Sequence, residues 1–226
     1  MGDMVEFPST GSNGHGYFAP AAGGGPGVVV IQEWWGLVPH ITDVCNRFAA
    51  AGFSALAPDL YRGEQTTEPD EAGKLMMALN LDRAASDMGG AIDFLIENAA
   101  VTSKGVGVTG YCMGGGLALV LACRRRDVVA CAPYYGLIPW KGTQPDWSAL
   151  NCPVRGHYAE NDDFFGPDAV ASLQATLDDA GKDAVLTIHP GVDHAFCNDT
   201  RPEVYDATEA TAAWDATIAF FRSTIR

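Results

Sequence analysis

The sequence is short of positive charge. Its 226 residues carry 14 Lys and Arg against 28 Asp and Glu, a formal net charge of −14. A chain this acidic repels phosphate backbones and anionic headgroups, which argues against a nucleic-acid or membrane partner. It also lacks any C-x-x-C pair, its six cysteines being scattered at Cys45, Cys112, Cys123, Cys131, Cys152 and Cys197. The opening segment Met1-Gly2-Asp3-Met4-Val5-Glu6 shows none of the basic, apolar and small-residue progression of a secretory signal. Met1-Gly2 begins a myristoylation pattern, but Glu6 stands where Ser or Thr is wanted. Free thiols in the reducing cytoplasm are therefore expected, rather than a disulfide framework. No internal repeat, low-complexity tract or linker divides the chain, so one domain over residues 1–226 is expected. Apolar residues make up 47% and charged residues 19%, which excludes intrinsic disorder.

One uncharged stretch does exist. Residues 105–123 carry no charge and run into Arg124-Arg125-Arg126, the outline of a membrane span with a basic flank. Six glycines within it, and the β-branched start at Val106 and Val108, fit a buried strand turning sharply into a buried helix better.

The remaining pattern alternates short apolar strands with amphipathic helices. Residues 28–31 form a continuous β-branched run, as in a strand covered on both faces. Pro39 opens a helix with Ile41, Val44, Cys45, Phe48 and Ala49 on one face, and Gly52 ends it. Residues 53–57, 106–109, 128–134, 153–158 and 184–189 read as further strands. Residues 71–80, 83–98, 113–125, 167–180 and 203–222 read as helices, the second with Ile92, Leu95 and Ile96 facing inward. Such alternation predicts an α/β fold with a mostly parallel central sheet and helices on both faces.

Gly110-Tyr111-Cys112-Met113-Gly114 carries the chemistry. It has the form G-x-C-x-G between a strand and a helix, where α/β-hydrolases place the G-x-S-x-G nucleophile elbow. Glycines at 110 and 114 remove collisions across a strained turn. The turn would lift the side chain of Cys112 above the sheet edge, at a helix N-terminus that favours a thiolate. The other five cysteines read as structural thiols. A nucleophile needs a base, and the base an orienting acid. Of five histidines, His15 precedes the core, His40 begins a helix, His157 lies in a strand and His189 ends one before Pro190. His194 falls in the loop after the last strand, where the catalytic histidine belongs. Glu160, Asp162 and Asp163 all follow the preceding strand. Glu160 sits too close to the strand end, and pattern alone does not separate the two aspartates.

At this point the sequence resembles the dienelactone hydrolase family over essentially its whole length. The resemblance lies in Gln32-Glu33-Trp34-Trp35-Gly36, Ala57-Pro58-Asp59-Leu60-Tyr61, the elbow, Tyr134-Tyr135-Gly136, the acid loop, and Gly191-Val192-Asp193-His194-Ala195-Phe196. It implies the α/β-hydrolase fold, with Cys112 as nucleophile and His194 as base. The small-x-x-Asp pattern Ala159-Glu160-Asn161-Asp162 favours Asp162 as acid, while the spacing to Pro167 keeps Asp163 open. Glu33 matches the glutamate that holds the resting thiol protonated and moves aside for substrate. The N–H groups of Trp34 and Met113 match the oxyanion hole.

The chain departs from the family where a substrate carboxylate is held. Asn198 stands where the best-known members have an arginine, leaving Arg201 as a substitute and Arg83 or Arg62 for the second position. Trp34 and Trp35 make the mouth more aromatic. The implied activity is opening of small activated esters or lactones of the dienelactone type through a thioester. No organic cofactor is expected, and a monomer or small homo-oligomer is. No metal is expected either: His189, Asp193 and His194 cluster in sequence, but Pro190-Gly191 makes that stretch a turn and a second ligand cluster is missing. A rival reading is a redox-sensing or ligand-binding protein on the same fold, against which the complete Cys, Asp, His order argues.

Overall fold

The computed structural model describes residues 2–140 and 143–226. The chain divides into two compact units, Met1–Val108 with Ile225–Arg226, and Thr109–Thr224.

The first unit holds β1 (Asp3–Ser9), β2 (Ser12–Ala19), β3 (Gly25–Ile31), α1 (Pro39–Ala50), β4 (Ser54–Pro58), α2 (Pro69–Ala78), α3 (Leu81–Glu97) and most of β5 (Val101–Tyr111). Its strand order is β1-β2-β4-β3-β5. β3 and β4 run parallel, with Val28 opposite Ala55, and consecutive residues of both are buried, which requires cover on both faces. α1 starts at Pro39 and turns Ile41, Val44, Cys45 and Phe48 into the core. In α3 the Asn80 side chain accepts the Arg83 N–H at the first turn. Ile92 and Leu95 of α3 are buried, but Ile96 is 36% exposed and does not face inward as expected, its neighbour Leu95 holding the centre of the buried stripe.

The hairpin β1–β2 has no counterpart in the sequence-based reading. Its strands pair antiparallel, Asp3 opposite Phe18, and β2 pairs antiparallel with β4. β1 buries only Phe7, and two of the buried positions of β2 are Gly14 and Gly16, so its two-residue alternation carries little hydrophobic signal. Arg62 ties this hairpin to α3. Its Nη1 donates to the Asn13 carbonyl at 3.1 Å, and its Nη2 donates to both oxygens of buried Asp87, at 3.0 and 3.2 Å.

The second unit takes in the end of β5, then α4 (Met113–Arg124), β6 (Val128–Tyr134), β7 (Val154–Asn161), α5 (Pro167–Asp179), β8 (Ala184–Asp193) and α6 (Ala207–Thr224). Strands follow the order β5-β6-β7-β8, with β6–β7 and β7–β8 parallel. Residues 113–122 of α4 are all buried, which accounts for the uncharged stretch as core. Among the described residues no helix is long and apolar enough to cross a membrane. α6 begins at Ala207, later than the hydrophobic pattern suggested. The Asp206 carboxylate stops it there by accepting the N–H groups of Thr208 and Glu209. Strands β7 and β8 outrun their expected ends at 158 and 189, reaching Asn161 and Asp193 through an irregular stretch of their ladder.

Candidate active site

Cys112 joins β5 to α4 at φ 54° and ψ −119°, a conformation L-residues rarely adopt. The strain is held from both sides: its N–H donates to the Tyr134 carbonyl at 3.1 Å, and its carbonyl accepts the Gly115 N–H at 2.9 Å. Residue 110 must be glycine, because a Cβ there would run into the Gly114 carbonyl. The half-buried thiol thus sits at the N-cap of α4, and Met113 is the first, buried residue of that helix.

His194 follows directly on β8. The chain turns sharply after it, with Ala195 at φ 68°. Asp162 follows directly on β7. The two strand ends bring Asp162 Oδ2 to 2.7 Å from His194 Nδ1, with the carboxyl side chain fully buried and the ring 15% exposed. Asp162 Oδ1 accepts the N–H groups of Phe164 and Phe165 at 2.8 and 2.9 Å. Asp163, adjacent in sequence, is exposed. The Cys112 thiol also acts on the His194 ring and favours its charged form. Because Asp162 occupies Nδ1, Nε2 is the ring nitrogen left for the thiol.

The electrostatics follow this geometry. Burial alone would lower the basicity of His194. Its hydrogen bond to Asp162, and the attraction of Asp162 and Cys112, outweigh that and raise its pKa to about 10. Burial likewise works against the Asp162 carboxylate. The His194 hydrogen bond and charge, with the two backbone N–H groups, nevertheless hold it below its ordinary range. Aromatic rings enclose the imidazole: Tyr135 stands edge-on with centroids 5.2 Å apart, Phe164 lies at 5.3 Å and Phe165 at 6.3 Å. Carboxylate, imidazole and thiol in this order can activate a sulfur nucleophile and return a proton to a leaving group.

The other expected residues lie elsewhere in their units. Glu33 is buried just after β3, and Trp34 and Trp35 follow in a turn, half-buried, with their rings 5.0 Å apart. Arg83 is exposed on α3, and Arg62 is engaged by Asp87. Arg201 pairs with Glu203 at 2.9 Å. Asn198 is buried, and its side-chain oxygen accepts the N–H and hydroxyl of Thr200, so it closes the turn that begins at His194. Among the described residues no group of three His, Cys, Asp or Glu side chains is arranged to hold a metal ion. The aromatic enclosure by Tyr135, Phe164 and Phe165 was not read from the sequence. Its signals there were the adjacency of two phenylalanines to the acid and the Tyr134-Tyr135-Gly136 element.

A family model described as the dienelactone hydrolase family matches residues 15–225. "Protein usf" of Aquifex pyrophilus is 40% identical, the match covering 98% of each chain. A protein of Aquifex aeolicus (strain VF5) named "Putative carboxymethylenebutenolidase" is 36% identical over the full length of both. Among solved structures, "Putative Dienelactone Hydrolase" from Klebsiella pneumoniae subsp. pneumoniae MGH 78578 superposes with a TM-score of 0.89 at 27% identity, covering 98% of each chain.

Proposed function

The chain belongs to the dienelactone hydrolase family, with its α/β-hydrolase fold and carboxylic ester hydrolase activity, and from that premise we propose that it opens small activated esters or lactones through a Cys112–His194–Asp162 triad. The observation that supports this most is a single imidazole bonded to a buried carboxylate and coupled electrostatically to the thiol of a strained elbow.

In this reading His194 takes the thiol proton and Cys112 Sγ attacks the carbonyl carbon. The tetrahedral oxyanion collapses, the bond to the leaving oxygen breaks, and the imidazolium supplies that oxygen with a proton. A thioester remains on Cys112. Water then gives a proton to His194 and attacks the thioester carbon, sulfur leaves, and the acid is released. Asp162 fixes the tautomer and supports the imidazolium throughout. Sulfur is itself a good leaving group, so a tetrahedral adduct on an amide would return to substrate. Activated esters and enol lactones are the fitting class. The N–H of Met113, the first residue of α4, is the candidate oxyanion donor that the family pattern implies. Arg201 is the candidate for a substrate carboxylate, and the six reduced thiols suit a cytoplasmic setting.

The test is hydrolysis of p-nitrophenyl acetate and a panel of small lactones by the wild-type protein and Cys112→Ala. Turnover that disappears in the variant supports the reading. Undiminished turnover in the variant removes Cys112 from the chemistry.

A further inference from the structure

Two pairs of side chains join β7 to β8 near the triad, not one. His157 Nδ1 and His189 Nε2 lie 3.0 Å apart, both rings buried, and each precedes by five positions the Asp162 and His194 that meet at the strand ends. Between these two links the backbone ladder slips. Ala159 lies opposite His189, but Asn161 lies opposite Asp193, so β8 advances four positions while β7 advances two. Such a bulge leaves backbone groups without their usual cross-strand partners and bends the strand. Here it falls immediately before His194. Pro190 has no N–H to give to the ladder, and Gly191 adopts φ 69°. The Gly191 N–H goes instead to Glu160 Oε2, at 2.8 Å.

The base of this frame is anchored from α6. His189 Nδ1 is 2.7 Å from Glu209 Oε2 in the first turn of that helix. A carboxylate only accepts, so Nδ1 carries the proton. Nε2 of the same ring meets His157 Nδ1 at 3.0 Å. His157 Nε2 in turn lies 3.2 Å from the Thr217 hydroxyl, which lies 2.6 Å from the Tyr134 hydroxyl, and Tyr134 also donates to the Ala213 carbonyl of α6 at 3.0 Å. The chain is continuous from Tyr134 to Glu209. The Asp206 N–H, at the cap of α6, donates to the Phe196 carbonyl two residues beyond His194, and the Phe196 ring lies 4.9 Å from that of His189.

We propose that Glu160 and the His157–His189–Glu209 chain are positioning residues for His194: they take over from the interrupted ladder and hold the turn so that one ring reaches both Asp162 and Cys112. The functional part of this rests on the reading of His194 as the base, whereas the positional part stands by itself.

The probe reaction is hydrolysis of p-nitrophenyl acetate, with separate kcat and KM. The second readout is the far-downfield proton resonance of the Asp162–His194 bond, assigned by its loss in Asp162→Asn. Glu160 is exposed, so Glu160→Ala tests the idea without risk to the core. It is expected to lower kcat about tenfold with KM unchanged, and to shift or broaden the resonance, since small misplacements of a catalytic group cost one to two orders of magnitude. Glu160→Gln keeps an acceptor for the Gly191 N–H and should restore both. Glu209→Ala should reproduce the Glu160→Ala effect. If it unfolds, Glu160→Ala and Glu160→Gln decide alone. Unchanged kcat and an unchanged resonance in Glu160→Ala overturn the proposal. So does an equal loss in Glu160→Ala and Glu160→Gln, which would mean charge and not the hydrogen bond. If the wild-type protein hydrolyses no ester, the functional reading fails, while the resonance still decides the positioning.

Discussion

Asp162 and His194 meet at 2.7 Å because two neighbouring parallel strands end side by side, and the carboxylate is kept there by folding back over the N–H groups of Phe164 and Phe165. That second set of bonds separates Asp162 from Asp163, which faces outward.

Asp162→Asn should therefore lower kcat by about two orders of magnitude or more, because an amide in that place favours the wrong histidine tautomer. Asp163→Asn should leave kcat within about twofold, as exposed substitutions usually do. Steady-state kinetics of both variants check this. A reversed ranking would return the acid to Asp163.

The titration of His194 is a second expectation. Its pKa is raised to about 10 against burial, by Asp162 and Cys112. A group whose folded pKa lies above its unfolded value stabilises the fold fully below the unfolded value of about 6.5, and this support is lost as pH rises through the folded one. The His194 ring resonances should thus titrate near pH 10, and in Asp162→Asn the midpoint should fall. A midpoint in the ordinary histidine range in the wild type would contradict the ion-pair geometry.

Thiol reactivity gives a third. Burial pushes Cys45 and Cys131 well above the ordinary thiol range. It raises Cys152 to about 12 and, aided by Asp146 and countered by Lys182, Cys123 to about 11. None of these four should compete for an alkylating reagent near neutral pH, whereas Cys112 is half-buried, coupled to His194 and seated at a helix N-terminus. Limiting iodoacetamide with peptide mapping should label Cys112 first. Prior labelling of any of the four would count against the nucleophile.

His157 makes the fold acid-sensitive. Burial first, then the His189 ring, depress its pKa to about 3. Here the unfolded chain binds the extra proton, so stability present above about pH 6.5 is lost as pH falls toward 3, at up to about 1.4 kcal/mol per pH unit. Urea unfolding between pH 7 and 4 should show this slope in the wild type and a shallower one in His157→Gln. Equal slopes would place the sensitivity in other groups.

Much of the site was legible before the structure because each member lies at a strand end marked by small residues or turns. Gly110 and Gly114 bracket Cys112, and Pro190-Gly191 announces the turn that carries His194. Residue pattern alone left Asp162 and Asp163 level and the family resemblance favoured Asp162; what separates them is which of two adjacent carboxylates finds backbone donors. The hairpin β1–β2 escaped because glycines at 14 and 16 occupy buried positions that a hydrophobic pattern looks for in larger residues. His157 and His189 read as two separate strand histidines. Their contact depends on the register of β7 against β8 and on the bulge beyond it, which no local periodicity encodes.

The central claim is covalent chemistry at Cys112, and it is tested most directly by rapid acid quench of the protein with p-nitrophenyl acetate, followed by mass spectrometry of the peptides. The account predicts a transient acetyl group on the Cys112 peptide that forms with the p-nitrophenolate burst and decays at the rate of turnover. Ester hydrolysis with no acylation of Cys112, or acylation at another residue that decays at the turnover rate, would contradict it.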